Sequence, residues 1–199
     1  MGNVMVLKKV IKHFFTHPRS MKPIQWWEYF ITSSYYLVGW AFMFLLLCPI
    51  IYILFDLPSF FMNPIIYSLS FMPYLILSLC VFYMSMSGRN YKKKDIFKGQ
   101  LLFFVSLPTY LRATLMGILG SKKGFAVTSK EGSRQISYLS LWPQLLLWTI
   151  NLAAITWSIN RFVYSYSPAV IVNMIWITYH FVLLSSMFYF NEDVELEKI

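Results

Sequence analysis

Hydroxyl and ammonium groups crowd into one short stretch of the chain, Lys122-Lys123-Gly124-Phe125-Ala126-Val127-Thr128-Ser129-Lys130-Glu131-Gly132. Thr128 offers a hydrogen-bond donor, and Lys130 a positive point charge two residues later. Together these are groups that hold a phosphate. Gly124 and Gly132 stand on either side, where a permissive backbone would let the segment swing as a lid does. The plainer reading of the same residues is a basic loop that only sets membrane topology.

A second set of polar residues lies where such residues are scarce. Asn151, Asn173 and His180 interrupt long apolar stretches, and inside a membrane such side chains usually face the bundle interior. Asn173, Trp176 and His180, at i, i+3 and i+7, fall on one helix face, and Gln144 and Trp148 form a similar pair. Each face offers an aromatic ring and hydrogen-bonding groups together, as the lining of a channel would. The alternative is ordinary hydrogen bonding between helices. Arg112 is a candidate for the mouth of such a channel, with snorkelling to headgroups as its other role. Acid–base machinery is not evident: outside the tail, where Asn191-Glu192-Asp193 lies, the acidic residues form no pair in a cytoplasmic segment. His13 and His17 read as solvated or headgroup-facing rather than as ligands, and no metal site is expected.

These residues need helices to hold them, and composition says of which kind. Apolar residues are 58%, aromatic 20% and charged only 13% of 199, where globular domains carry roughly a quarter charged. A soluble domain of this size could not bury that much apolar surface. The expectation is an integral membrane protein. Its net charge of +9 resides in short segments beside apolar runs, which suits orientation and anionic headgroups rather than nucleic acid. Cys48 and Cys80 lie inside apolar runs and read as small buried hydrophobes. Met1 to Ser20 has no uninterrupted apolar core, so no signal peptide is expected, and Val6 occupies the position where myristoylation needs Ser or Thr.

The chain divides into five segments. Residues 1–32 are basic and aromatic. In Val4 to Phe15, Val6, Leu7, Val10, Ile11, Phe14 and Phe15 recur at helical spacing opposite Lys8, Lys9 and Lys12, the pattern of a helix lying in the membrane surface. His17-Pro18 ends it, and Trp26, Trp27 and Tyr29 suit the headgroup level. Residues 33–86 hold a pair of spans, about Ser34 to Phe55 and Pro64 to Met86, with Pro49 and Pro73 as kinks. Residues 87–134 hold a basic segment, one amphipathic interfacial helix from Gln100 to Leu119 with Ser106, Thr109 and Arg112 on one face, and the polar loop. Residues 135–190 hold the second pair, about Tyr138 to Ile159 and Pro168 to Tyr189, and residues 191–199 an acidic tail. Lys and Arg number five before the first span, ten between the second and third, and one each in the second turn and the tail. This places both termini and the central loop in the cytoplasm.

The loop sequence Phe125-x-Val127-Thr128-x-Lys130 resembles the gating-loop motif of membrane-embedded processive family-2 glycosyltransferases, the cellulose-synthase-like group. It stands where that family carries it, after an interfacial helix and before two spans. Met21-Lys22-Pro23-Ile24-Gln25 is similar to the segment entering that family's channel, and Gly2-Asn3-Val4-Met5-Val6-Leu7 to the stretch after its Gln-x-x-Arg-Trp motif. The resemblance covers essentially the whole chain. It implies that Phe125, Val127, Thr128 and Lys130 insert toward a nucleotide-sugar site, and it makes Asn173, Trp176, His180, Gln144, Trp148 and Arg112 the candidates for lining a channel in which a sugar polymer would use aromatic platforms and hydrogen-bonding groups together. The family's Asp-x-Asp, Thr-Glu-Asp and Gln-x-x-Arg-Trp motifs are absent from these residues. The implied divalent metal therefore belongs to a catalytic domain encoded separately or lost, and the chain alone is expected to be inactive.

The expectation is an all-α integral membrane protein of the cell membrane, with four transmembrane helices, an N-terminal surface helix and one interfacial helix. Its partners would be membrane lipids, the nucleotide-sugar, the growing polysaccharide and the missing domain, with no nucleic acid. The alternative is a small non-catalytic membrane scaffold or lipid-interacting subunit.

Overall fold

The computed structural model describes residues 2–58, 63–120 and 137–191. Among these the chain is helical throughout, with no strand. The helices are α1 (Gly2–Thr16), α2 (Pro23–Ser34), α3 (Val38–Phe55), α4 (Pro64–Ser87), α5 (Lys93–Val105), α6 (Leu107–Ile118), α7 (Trp142–Tyr164) and α8 (Pro168–Phe190). Four stretches are long and apolar enough to cross a membrane, consistent with a membrane protein: Pro23–Phe55, Pro64–Ser87, Tyr138–Tyr164 and Pro168–Phe190. The pair α5 and α6, taken together, passes the same test.

Proline and short polar caps set the helix starts. Asn63 accepts a hydrogen bond from the Ile65 N–H at 2.9 Å, and Ser167 one from Ala169 at 3.3 Å, each just ahead of a proline in the first turn. The Gln25 side chain accepts from the Lys22 N–H at 3.0 Å, ahead of Pro23–Ser34. Pro49 and Pro73 lie inside α3 and α4, which continue as helix through them.

One expected element is divided. The single helix from Gln100 to Leu119 is two, α5 and α6, separated at Ser106. Pro108 lacks the N–H that would bond the Phe104 carbonyl, and here, unlike at Pro49 and Pro73, the helix breaks, with the proline in the first turn of α6. The helix restarts on the Ser106 carbonyl, which accepts from Thr109 and Tyr110 at 3.0 and 3.1 Å.

The chain forms two compact units. The first takes in Met1–Phe44 and Ser106–Gly132, as far as these are described. In it α1 packs on α2 and α6, and α6 packs on the 3-10 turn Tyr35–Leu37. Val4 and Leu7 of α1 are buried, while Val6, Ile11, Phe14 and Phe15 remain exposed. Trp26, expected at headgroup level, is instead buried in this unit. Its indole donates to the Pro18 carbonyl at 3.1 Å, and its ring packs against His13 and Phe14. Trp27 and Tyr29 are exposed. His13 and His17 are exposed and stacked, with ring centroids 5.0 Å apart. A Cβ built on Gly39 would lie 2.8 Å from Tyr110 Cβ, so glycine is what permits this close approach of the α3 and α6 backbones.

The second unit takes in Leu45–Val105 and Ser133–Ile199, again as far as described. Its main packing is α7 on α8, with α5 and α4 also against α8. The buried residues of α7 are Gln144, Leu147, Asn151, Ala154 and Ser158, and those of α8 include Val170, Ile177, His180, Leu184 and Met187. The α7 set alternates steps of three and four, as do Ile177, His180, Leu184 and Met187 of α8, the spacing of a seam between two packed helices. The three-residue connection Ser165 to Ser167 makes them antiparallel neighbours. Cys48 is half-buried, and Cys80 is exposed rather than buried, because α4 buries none of its residues.

Candidate functional site

The gating-loop residues Phe125, Val127, Thr128 and Lys130 lie outside the described residues. The candidate site that the structure describes is the set of polar residues on α7 and α8.

Helical spacing puts Gln144 and Asn151, seven residues apart, on the buried face of α7. Gln144 is 6% exposed, and its amide donates to the Val105 carbonyl of α5 at 3.1 Å. That bond matters locally, because Val105 ends a helix whose last carbonyls have no partner within it. Asn151 is wholly buried and donates to the Leu147 carbonyl of its own helix at 2.7 Å. Trp148 lies between them, half-buried. Its indole donates to Ser185 Oγ of α8 at 2.9 Å, and Ser185 donates in turn to the Phe181 carbonyl at 2.8 Å. The Trp148 ring packs on Phe181 and Phe188, with centroids at 5.0 and 5.8 Å.

On α8, His180 is buried at 5% exposure within an aromatic cluster. Its ring centroid is 5.8 Å from Tyr179, 6.0 Å from Trp176 and 6.4 Å from Phe104 of α5. Trp176 also packs edge-on against Phe71 of α4, at 5.6 Å. Asn173 is half-buried and donates to the Ala169 carbonyl at 2.8 Å, back along its own helix. Trp176 and His180 therefore share a face, as their spacing predicts. The Asn173 amide is occupied locally.

Among the described residues, three buried polar atoms of this lining have no hydrogen-bond partner: Gln144 Oε1, Asn151 Oδ1 and His180 Nδ1. The two amide oxygens are acceptors, and the ring nitrogen accepts or donates according to its tautomer. A buried polar atom left unpaired costs about 1–3 kcal/mol, so each of the three keeps a hydrogen-bonding capacity that the described residues do not use. Arg112, on α6 in the other unit, is exposed. An open apolar depression lined by Tyr138, Leu139, Trp142, Leu145, Leu146 and Thr149 contains none of these residues. Among the described residues no three His, Cys, Asp or Glu side chains gather as metal ligands would.

The strongest polar anchor in this unit is one that the sequence reading misses. Arg161, in the last turn of α7, donates to the Tyr52 and Ile53 carbonyls at 2.9 and 3.0 Å and pairs with Asp56 at 2.7 Å. Its guanidinium also stands 5.4 Å from the centre of the Tyr52 ring. The fork thus caps the C-terminal end of α3, answering the Ile53 carbonyl and adding to the Asp56 N–H that already bonds that of Tyr52 at 2.9 Å. Asp56, in the left-handed region at φ 59°, turns the chain out of that helix. A signal for this pair exists: Arg161 is the single cation between the last two spans and Asp56 the single acid between the first two. Any arrangement of four alternating spans brings those two turns to one side. Thr114, fully buried in the other unit, is a second omission. Its hydroxyl donates to the Tyr110 carbonyl at 2.8 Å and lies 3.2 Å from that of Tyr36.

No protein-family profile, curated protein or solved structure matches the chain.

Proposed function

We propose that the chain is the transmembrane channel and gating-loop portion of a processive glycosyltransferase that makes or exports a polysaccharide from a nucleotide-sugar donor. Transfer itself would be carried out by a catalytic domain outside these residues, and any divalent metal would be held there. The observation that supports this reading is the lining of α7 and α8: Gln144, Asn151 and His180 are buried in apolar helices with a polar atom to spare, beside Trp148 and Trp176. Sugar hydroxyls donate and accept hydrogen bonds and sugar ring faces stack on aromatic rings, so the lining matches a glycan in both respects. The motif Phe125-x-Val127-Thr128-x-Lys130 supports it by resemblance.

In this reading the four long apolar helices cross the cell membrane with both termini and the central basic region on the cytoplasmic side. The charge count supports that orientation. Arg161, the one cation between the last two spans, is neutralised by Asp56. Helix α1 lies in the membrane surface, and α5 and α6 lie at the interface.

A second reading, a non-catalytic membrane scaffold or lipid-interacting subunit, is favoured by one observation. Gln144, Trp148, Asn151 and Asn173 all donate hydrogen bonds within the protein itself. Substituting Thr128 and Lys130 together by Ala, in the complex with the catalytic domain, separates the two. The channel reading expects incorporation of labelled sugar into polymer to fall at least tenfold, a lost phosphate contact of about 1.4 kcal/mol or more, while the complex still assembles. Unchanged incorporation would remove the gating-loop assignment.

A further inference from the structure

The corner between α4 and α5 carries an unusual density of positive charge. Between residues 88 and 98 stand Arg89, Lys92, Lys93, Lys94 and Lys98, against one acid, Asp95. Arg89, Lys92, Lys93 and Lys94 are exposed. Their side chains make no hydrogen bond or ion pair among the described residues, where the one ion pair is Arg161 with Asp56. Lys98 differs, since its ammonium lies over the Tyr189 ring, 5.1 Å from the centroid.

These charges are not strung along a loose tail. Helix α4 ends in a set turn: the Gly88 N–H bonds the Met84 carbonyl at 3.0 Å, and the Tyr91 N–H reaches back to Met86 at 3.3 Å. Asn90 takes the left-handed conformation that closes such ends, at φ 62°. The chain re-enters helix two residues after Tyr91, at Lys93. Four cations are thus fixed within six residues of one helix corner. That corner tips a 24-residue apolar helix none of whose residues is buried. Exposed Tyr91 and Phe97 flank the charges, and aromatic rings of this kind settle at the boundary between hydrocarbon and headgroups. No Lys or Arg occurs between Lys22 and Arg89, so the end of α4 that begins at Pro64 has no nearby cation in sequence. The attraction is therefore confined to one leaflet.

We propose that the α4–α5 corner is a binding surface for lipid headgroups of net negative charge, recruited to one leaflet around α4 by Arg89, Lys92, Lys93 and Lys94. This rests on the membrane-spanning part of the proposed function and not on the polysaccharide part. The phosphate of a zwitterionic lipid carries a cancelling cation, so four adjacent basic side chains discriminate by headgroup charge. Each Lys or Arg near the surface contributes about fivefold to that attraction.

The test uses the full chain reconstituted in phosphatidylcholine nanodiscs containing a minority of spin-labelled phosphatidylglycerol, compared with spin-labelled phosphatidylcholine in parallel discs. The quantity read is the relative association of the two labelled lipids with the protein. The expected result is a preference of about tenfold or more for phosphatidylglycerol. It should fall below about twofold in R89Q/K92Q/K93Q/K94Q, whose four side chains are exposed. It should persist in K9Q/K12Q, which removes charge from α1 instead. Equal preference in the quadruple variant, or equal loss in both variants, would overturn the proposal. Displacement of the labelled lipid by inorganic phosphate, beyond that by chloride at the same ionic strength, would reassign the corner to free phosphate and overturn it too. Extraction of the chain from vesicles by alkaline carbonate would overturn the spanning reading together with the proposal. A chain that stays embedded without headgroup preference overturns the proposal alone.

Discussion

Both units of this protein use a cation to close the C-terminal end of a distant helix, and they do so with different residues. In the unit built on α7 and α8, Arg161 reaches two carbonyls of α3, the Asp56 carboxylate and the face of Tyr52. In the unit built on α1, α2 and α6, Lys8 donates to one carbonyl, that of Ile118 at the end of α6. The Arg161 side chain is 21% exposed and that of its partner Asp56 70%, while Lys8 is exposed. Where less water reaches the helix end, a donor with several fixed N–H groups serves several acceptors at once. Where water reaches the helix end, a single ammonium suffices because solvent can replace it. The first unit relies on contact instead: the Gly39–Tyr110 approach and the Thr114 hydroxyl hold α6 against the segment joining α2 and α3.

That contrast can be broken at either end. Replacing Arg161 by Met should have the largest effect, about 1–3 kcal/mol, because it removes charged hydrogen bonds to two carbonyls, of which that of Tyr52 keeps the Asp56 N–H. Unfolding in mixed detergent micelles would measure it, and a loss under about 0.5 kcal/mol would remove the clamp from the account. Gly39→Val comes next, at about 1–3 kcal/mol, since the added carbon meets Tyr110 Cβ, which is not a flexible chain end. Protease accessibility of the junction between α2 and α3 should rise with it. Lys8→Met should be smallest, within about 0.5 kcal/mol in the same unfolding assay. If Lys8→Met matched Arg161→Met, solvent access would not be what separates the two caps.

Much of the fold is legible because it arises from one-dimensional signals. Apolar runs bounded by Asp56-Leu57-Pro58, Asn63-Pro64 and Ser167-Pro168 give the long helices to within a few residues. The same logic fails at Gln100 to Leu119, where apolar continuity suggests one helix but Pro108 removes the N–H that would carry it past Ser106. Trp26 is illegible for a different reason. An indole beside lysines reads equally as a headgroup anchor or as the core of a helical hairpin, and only the packing of α1 on α2 separates these. Of the candidate site, the buried positions Gln144 and His180 and the pairing of Trp176 with His180 come from helical spacing. The partners of these residues and of Trp148, namely Val105, Phe104 and Ser185, do not. Val105 and Ser185 lie 39 and 37 residues from Gln144 and Trp148 along the chain.

Helical class, the long apolar stretches and the concentration of charge outside them are carried by the residues in order, because each depends on properties that add up along the chain. Which polar groups are spent is settled only when distant helices meet. Arg161 becomes a helix cap, Trp148 a link to Ser185, and Gln144 a donor with an acceptor left over. A side chain's hydrogen-bonding capacity is fixed by its type, but its use depends on which carbonyl or hydroxyl another helix brings within about 3 Å.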